Sequence, residues 1–459
     1  MIRHLQRREF LQTSCTLGVV GLLLPGLAWS ENRAMGPLHA GPMAGYPAER
    51  SARIWLQSRG PARVQLLFRD RQGSARRSEA MDTRASTWYT AQITLDDLTP
   101  GQEYQVTPLI DGRELPHATI RVKTPALWRW RSPPPDFSVL TGSCAYINDP
   151  LYDRPGKPYG GGYEIYQPMT AEQADLMVWL GDNLYFREGD LSSPEGMALR
   201  YWSDRSFAPL QQFLRSTAQV AIWDDHDYGP NDSDSSFVFK GQALSLFQHY
   251  WNNPSYGLPG IPGNFTQFSL YDADFFLLDD RWYRDADAAL LSTHKVQFGK
   301  AQLDWLKNAL LDSHARFKLI AAGGQMLNDD DAHEGWNHYP EERQEFLSWL
   351  QDNRIPGVIF LSGDRHISEL MRRPRPRYNG KQDYPLWEIT SSPLNSSPAR
   401  GDKNPYRVPQ TLVEERNYVR LDFRGQGKDR QLLVSCKGTQ GQLYWQHAIT
   451  GKDLGYESV

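Results

Sequence analysis

The chain has 459 residues, 40% of them hydrophobic and 23% charged, with a formal net charge of −4. Such values exclude a disordered or membrane-embedded class and leave a soluble globular protein long enough for two domains. With no basic excess, nucleic acid is excluded as a bulk partner, so an anionic substrate has to be drawn in locally, by metals or a few arginines.

In chain order, Arg7-Arg8-Glu9-Phe10-Leu11-Gln12 precedes an uncharged, mostly apolar run from Thr13 to Trp29 that ends in Ala28-Trp29-Ser30, a small-residue cleavage site. Pro25 interrupts the run, which is too short and too broken for a spanning helix. Paired arginines ahead of Phe-Leu resemble the twin-arginine export signal, whose pathway carries folded proteins. Residues 1–30 are therefore expected to be removed, which takes the formal charge to −6 and leaves a periplasmic or secreted protein with no stable transmembrane segment. Cys15 leaves with the signal, and Cys144 and Cys436 remain with the option of one disulfide.

Residues 36–125 read as an all-β domain. Ser51–Gln57 and Ala62–Phe68 alternate apolar and polar residues, with Arg59-Gly60-Pro61 between them as punctuation. Leu95–Val106 carries a Pro100-Gly101 turn into a Tyr104-x-Val106 strand, similar to fibronectin type III and immunoglobulin-like sandwiches. No cluster of His, Cys and carboxylate falls in this stretch, which points to a structural or attachment role. Residues 126–136 form a linker whose Pro133-Pro134-Pro135 favours an extended segment.

From 137 to 459 strands and helices alternate. Apolar runs at Phe137–Leu140, Asp175–Leu180, Val220–Trp223, Phe317–Ala322 and Val358–Leu361 predict buried strands, and three- and four-residue spacing predicts helices over Lys300–Ser313 and Pro340–Asn353. Phe265–Asp280 reads as a hairpin turning at Asp272–Asp274, and Asn417–His447 as further strands at the sheet's edge.

The five buried strands stop at Cys144, at Asp182 with Tyr185, at Asp224–Asp227, at Gln325, and at Asp364 with His366. Singly, each such residue reads as a helix cap, a turn residue or a core thiol. Gathered at one end of neighbouring strands, where open α/β sheets bind ligands, a thiol, a phenol, imidazoles and several carboxylates are suited to a two-metal site. The stretch Val220–Asp234 shows the need most sharply. Asp224, Asp225, His226 and Asp227 would repel one another and resist burial without something positive among them.

These segments also resemble a known family. Gly181-Asp182-Asn183-Leu184-Tyr185 is similar to the GD-x-x-Y element of metallophosphoesterases, including the purple acid phosphatases. Trp223–Asp227, Ser362–Glu369, Gly142-Ser143-Cys144, Asp280–Arg284 and the stretch ending Gln302-x-x-Trp305-Leu306 resemble elements of the alkaline phosphatase D family, as do the signal and the Ig-like domain. The resemblance implies an α/β fold, a metallophosphoesterase-like β-sandwich flanked by helices. It implies that Cys144, Asp182, Tyr185 and His366 hold a first metal, Fe3+, since thiolate and phenolate suit a trivalent ion. Asp182 would bridge to a second metal held by Asp225 and Asp364, with Ca2+ first and Mn2+ or Zn2+ as alternatives.

His226 is placed in sequence to protonate the leaving group or steady the transition state, or else to hydrogen-bond a ligand carboxylate. Arg281 and Arg365 would grip phosphate oxygens. Asp224, Asp227, Asn231 and Asp232 either bind an additional Ca2+ or act as outer turn residues, and Gln325 stands where many metallophosphoesterases carry a His ligand. The implied function is an exported, monomeric, metal-dependent phosphoesterase that hydrolyses small-molecule or polymeric phosphate esters with metal-activated water. A reading from another class is a non-catalytic, metal-stabilised binding or adhesion protein, which would close its metal shell. A serine-dependent hydrolase ranks lowest, because no candidate nucleophile has a base nearby.

Overall fold

The computed structural model describes residues 36–289, 294–377 and 383–456. The expected export signal, residues 1–30, lies outside the described residues. Among the described residues no helix is long and apolar enough to cross a membrane.

The N-terminal strands are β1 (Leu38–Pro47), β2 (Ala52–Ser58), β3 (Ala62–Arg69), β4 (Ala75–Arg77), β5 (Met81–Thr83), β6 (Thr90–Leu95), β7 (Glu103–Ile110), β8 (Arg113–Glu114) and β9 (Ile120–Lys123). All pair antiparallel, in one sheet ordered β1-β2-β6 and a second built on β3 and β7. Their alternating apolar residues, among them Ile54, Leu56, Val64, Leu66, Ile93 and Val106, fill the space between the sheets.

The body contains β10 (Phe137–Gly142), β11 (Leu176–Leu180), β12 (Ala218–Ile222), β13 (Thr266–Leu270), β14 (Ala273–Leu277), β15 (Phe317–Ala321), β16 (Val358–Ser362), β17 (Glu369–Arg373), β18 (Leu386–Thr390), β19 (Asn417–Arg424), β20 (Gln431–Gly438) and β21 (Leu443–Ile449). They form two mixed sheets, ordered β12-β11-β10-β19-β20-β21 and β13-β14-β15-β16-β18-β17. The unbroken apolar runs follow from burial on both faces. In β11, Leu176, Val178 and Leu180 face the opposite sheet, while Met177 and Trp179 face an outer layer. In β16, Ile359 and Leu361 point inward, and Val358 and Phe360 meet the helices Lys300–Asp312 and Pro340–Asp352. The result is a β-sandwich with a helical layer on each side.

Three details differ from the sequence reading. The hairpin turns at Tyr271–Asp272, and Asp274 already pairs within β14. The C-terminal strands extend the first sheet by antiparallel pairing of β19 with β10, so β10 lies inside the sheet. Cys144 and Cys436 are both free and buried. Cys436 sits on β20 within the sandwich core, so the optional disulfide does not form.

The N-terminal sheets share a core with the body. Ala40, Met43 and Trp55 pack with Tyr250 and Trp251. Trp55 Nε1 donates to the His249 carbonyl at 2.8 Å, and Gln92 Nε2 donates to the Trp251 carbonyl at 2.9 Å. His39 belongs to this seam: its ring stacks on Trp202 at 3.7 Å and its Nε2 lies 2.9 Å from the Trp202 carbonyl. Burial lowers its pKa to about 4. The unfolded chain takes up a proton here near pH ~6.5, whereas the folded chain refuses it until about 4, so stability falls as pH drops through that window. The expected loss is on the order of 3 kcal/mol. Denaturant titrations of His39→Phe, which stacks without titrating, should lack that part of the slope.

Candidate metal centre

Parallel strands deliver their carboxyl ends to one edge of the sandwich, and each chain turns sharply as it leaves. Cys144 after β10, Asp182 after β11, and Asp364 and His366 after β16 all have positive φ, at 58°, 51°, 59° and 54°. A left-handed backbone costs a non-glycine residue roughly 1–2 kcal/mol, and such strain collects at functional sites. The turns also crowd. A Cβ on Gly363 would lie 2.5 Å from Ser143 Oγ and 2.7 Å from the Leu180 carbonyl. That carbonyl belongs to a paired strand and yields little, so Gly363→Ala has to displace the Asp364 turn. The expected cost is about 1–3 kcal/mol in denaturant unfolding, accompanied by reduced metal retention.

Three overlapping groups of donors result, each with its ligand atoms within 4.8 Å of one another: Cys144, Asp182 and His366; Asp182, Asp225 and His226; Asp225, Asp232 and Glu334. In the first, Cys144 Sγ lies 3.4 Å from Asp182 Oδ2 and accepts from Ser392 Oγ at 3.1 Å. Tyr185 completes this group, its hydroxyl 3.0 Å from Asp182 Oδ2 and 3.2 Å from His366 Nε2. His366 Nδ1 lies 2.7 Å from the Ser397 carbonyl; donation there leaves Nε2 with its lone pair directed at the group. In the second group, the other Asp182 oxygen accepts from the His226 backbone N–H at 3.3 Å. Asp225 Oδ2 accepts from the Asp232 N–H at 2.8 Å and leads into the third.

Burial, reinforced by neighbouring negative charge, resists ionisation of these acids on their own. It pushes the Cys144 thiol up to about 12 and Asp364 to about 7, and it holds Asp182 and Tyr185 well above their ordinary values. Asp225 is the exception: His226 and Arg281 outweigh burial and keep its carboxyl below the usual range. A set of buried anionic donors that cannot ionise together is the environment a multivalent cation stabilises, and thiol, phenol, carboxylate and imidazole fit a transition metal.

The positions anticipated from sequence divide. Cys144, Asp182, Tyr185 and His366 come together, and Asp225 joins them through Asp182. Asp364 lies outside the three tight groups; its negative charge acts on Cys144, and its carbonyl lies 3.7 Å from Sγ. His226 stands among the donors of the second group, its ring tilted against that of Tyr185 with centres 4.1 Å apart.

The two arginines face protein carboxylates. Arg281 is buried, pairs with Asp224, and donates from Nη2 to Glu334 Oε2 at 2.7 Å. Arg365 pairs with Asp402 and donates to Gln325 Oε1 at 3.4 Å. The Arg281 guanidinium thus lies between buried Asp224 and partly buried Glu334. Part of the positive charge that Val220–Asp234 demanded is this internal arginine.

Among the outer donors, Asp227 is a scaffold. It accepts from the Asp224 N–H at 2.7 Å and the Asn183 N–H at 3.1 Å. Gln325 is buried and saturated by Glu369, Thr390 and Asn328, which leaves it no ligand role. Glu334 went unnoticed in the sequence, because it lies in a loop with no periodic signal.

Residues 265–431 match the family model described as PhoD-like phosphatase, and residues 35–125 match one described as a domain of unknown function (DUF7800). Among curated proteins, alkaline phosphatase D of Bacillus subtilis (strain 168) is 26% identical over 286 residues, 51% of this chain and 48% of that protein. The chain thus spans about half the length of this curated relative. A solved structure of PhoD superposes with a TM-score of 0.73 at 19% identity, over 91% of this chain and 90% of its own. Purple acid phosphatase PPD1 from yellow lupin (Lupinus luteus) seeds superposes with a TM-score of 0.63 at 12% identity, over 89% of this chain and 74% of its own. At these identities the two structures speak for the fold.

Proposed function

From the premise that this chain carries a PhoD-like phosphatase domain, we propose that it is an exported metal-dependent phosphoesterase. The observation that carries this reading is the chain of donor groups linked through Asp182 and Asp225. In the proposal, Cys144, Asp182, Tyr185 and His366 hold Fe3+, while Asp182 and Asp225, with His226 or Asp364 beside them, hold Ca2+, or Mn2+ or Zn2+ in its place. Cations so placed supply neutralisation of phosphoryl charge and an acidified water for in-line attack.

The chain's own residues do the rest. Ser392 and the Ser397 carbonyl fix the Cys144 thiol and the His366 tautomer. Asp182 sets the spacing of the two pockets by presenting one oxygen to each. Partial exposure of His226, Asp364 and His366 leaves that side accessible to a substrate, unlike the closed shell of a structural metal site. Arg365, tied to Asp402, serves to orient Gln325 and the Asp364 turn.

In the same reading residues 1–30 are a twin-arginine signal, residues 36–125 brace the catalytic body, residues 126–136 link the two, and the enzyme works as a periplasmic or secreted monomer. The test is hydrolysis of bis-p-nitrophenyl phosphate by metal-replete and chelator-treated protein. Turnover should vanish on chelation and return with metal. No turnover by the metal-replete protein would sink the reading.

A further inference from the structure

The approach to the first donor group is walled by aromatic rings. Tyr185 is buried, and Tyr146 packs 5.1 Å from it with the Arg187 guanidinium 3.9 Å over its ring. Tyr159 meets Tyr146 edge to face at 4.8 Å, and its ring centre lies 6.2 Å from that of Tyr185 and 5.9 Å from that of His366. Tyr159 differs from its neighbours in being 39% exposed.

Its position is fixed. The Tyr159 hydroxyl lies 3.3 Å from His366 Nδ1, and its carbonyl accepts from Ser397 Oγ at 2.8 Å. Asp153, earlier in the same loop, is clamped by the Tyr146 hydroxyl at 2.7 Å and by Arg187 Nε at 2.8 Å. An open aromatic side chain, braced on both sides and beside the His366 imidazole, presents a flat apolar face next to the first donor group, where a planar ring could lie against it.

On the basis of the phosphoesterase reading above, we infer that Tyr159, backed by Tyr146, is a stacking subsite for a planar ring on the organic arm of the substrate. Aryl and nucleoside phosphate esters are then preferred over alkyl ones. Stacking of a base on an aromatic side chain is strong enough to set such a preference, and it tolerates differences between rings.

The test compares phenylphosphonate with methylphosphonate as competitive inhibitors of bis-p-nitrophenyl phosphate hydrolysis by the full-length, metal-replete enzyme. The two differ only in the ring. Phenylphosphonate should bind about tenfold more tightly to the parent enzyme. Tyr159→Phe should keep that ratio and Tyr159→Ala should abolish it. Equal inhibition constants in the parent, or a ratio that survives Tyr159→Ala, overturns the subsite. So does a parallel weakening of both phosphonates with the ratio intact, which would reduce Tyr159 to a support for His366. A parent enzyme without turnover fails the underlying phosphoesterase reading instead, and the two failures are distinguishable.

Discussion

Replacing Asp182 with Asn is expected to lower kcat/KM for bis-p-nitrophenyl phosphate on the order of 10³-fold, about 4 kcal/mol of transition-state stabilisation. Asp182 belongs to two donor groups at once. One oxygen meets Tyr185 at 3.0 Å and Cys144 at 3.4 Å, and the other meets the His226 N–H at 3.3 Å. Outer partners of a metal site typically matter only about 10–100-fold, and a shared ligand has to matter more. Stability should move the other way. Without metal the cluster already resists ionisation of Asp182, and Asn supplies a neutral side chain of the same shape, so chelated Asp182→Asn should melt no lower than its chelated parent. A variant that loses activity merely by unfolding would melt lower.

Arg281→Gln should be the most destabilising single change in the body, at about 3–5 kcal/mol in denaturant unfolding. It leaves buried Asp224 without its arginine, while Glu334 keeps Arg284 at 2.6 Å. Asp224→Asn in the same chain should recover part of the loss, because the uncompensated charge disappears with it. Had Arg281 instead gripped phosphate, its loss would raise KM and leave stability nearly unchanged.

These two residues show what was legible in the sequence. Apolar runs that stop at Gly-Asp or Gly-Ser-Cys located the strand ends, because burial on both faces forbids polar residues until the strand leaves the sheet. Cys144, Asp182, Tyr185 and His366 were therefore readable as neighbours. The direction of a long side chain was not. Arg281 follows a strand end in the sequence just as a phosphate-binding arginine would, yet its guanidinium turns under the carboxylates. The sequence leaves His226 open between proton donor and partner of a ligand carboxylate; its ring lies tilted against Tyr185 among the donors of the second group. Glu334 reaches Asp225 and Asp232 from a loop between β15 and β16, which only tertiary structure brings near. The helix Pro194–Arg205 is hidden because its buried face includes Arg200, Asp204 and Arg205, which blur the apolar period.

The same geometry explains why the N-terminal sheets are bound up with the body. Trp55 and Gln92 hydrogen-bond carbonyls of His249 and Trp251, and Asn253, two residues further on, bonds both backbone groups of Ala221 in β12, the strand that leads to Asp224. Disturbing that seam is expected to act on the strand end as well as on local stability.

The proposed iron pocket, with Cys144 and Tyr185 as ligands and Asp182 shared with a second cation, can be probed by metal analysis of the purified protein combined with its visible spectrum. The expected result is iron together with a second, oxygen-preferring metal, and a phenolate- or thiolate-to-iron charge-transfer band that is lost or shifted in Tyr185→Phe and Cys144→Ser variants that remain folded. Fully active protein without iron, or iron and spectrum unchanged in both variants, would contradict it.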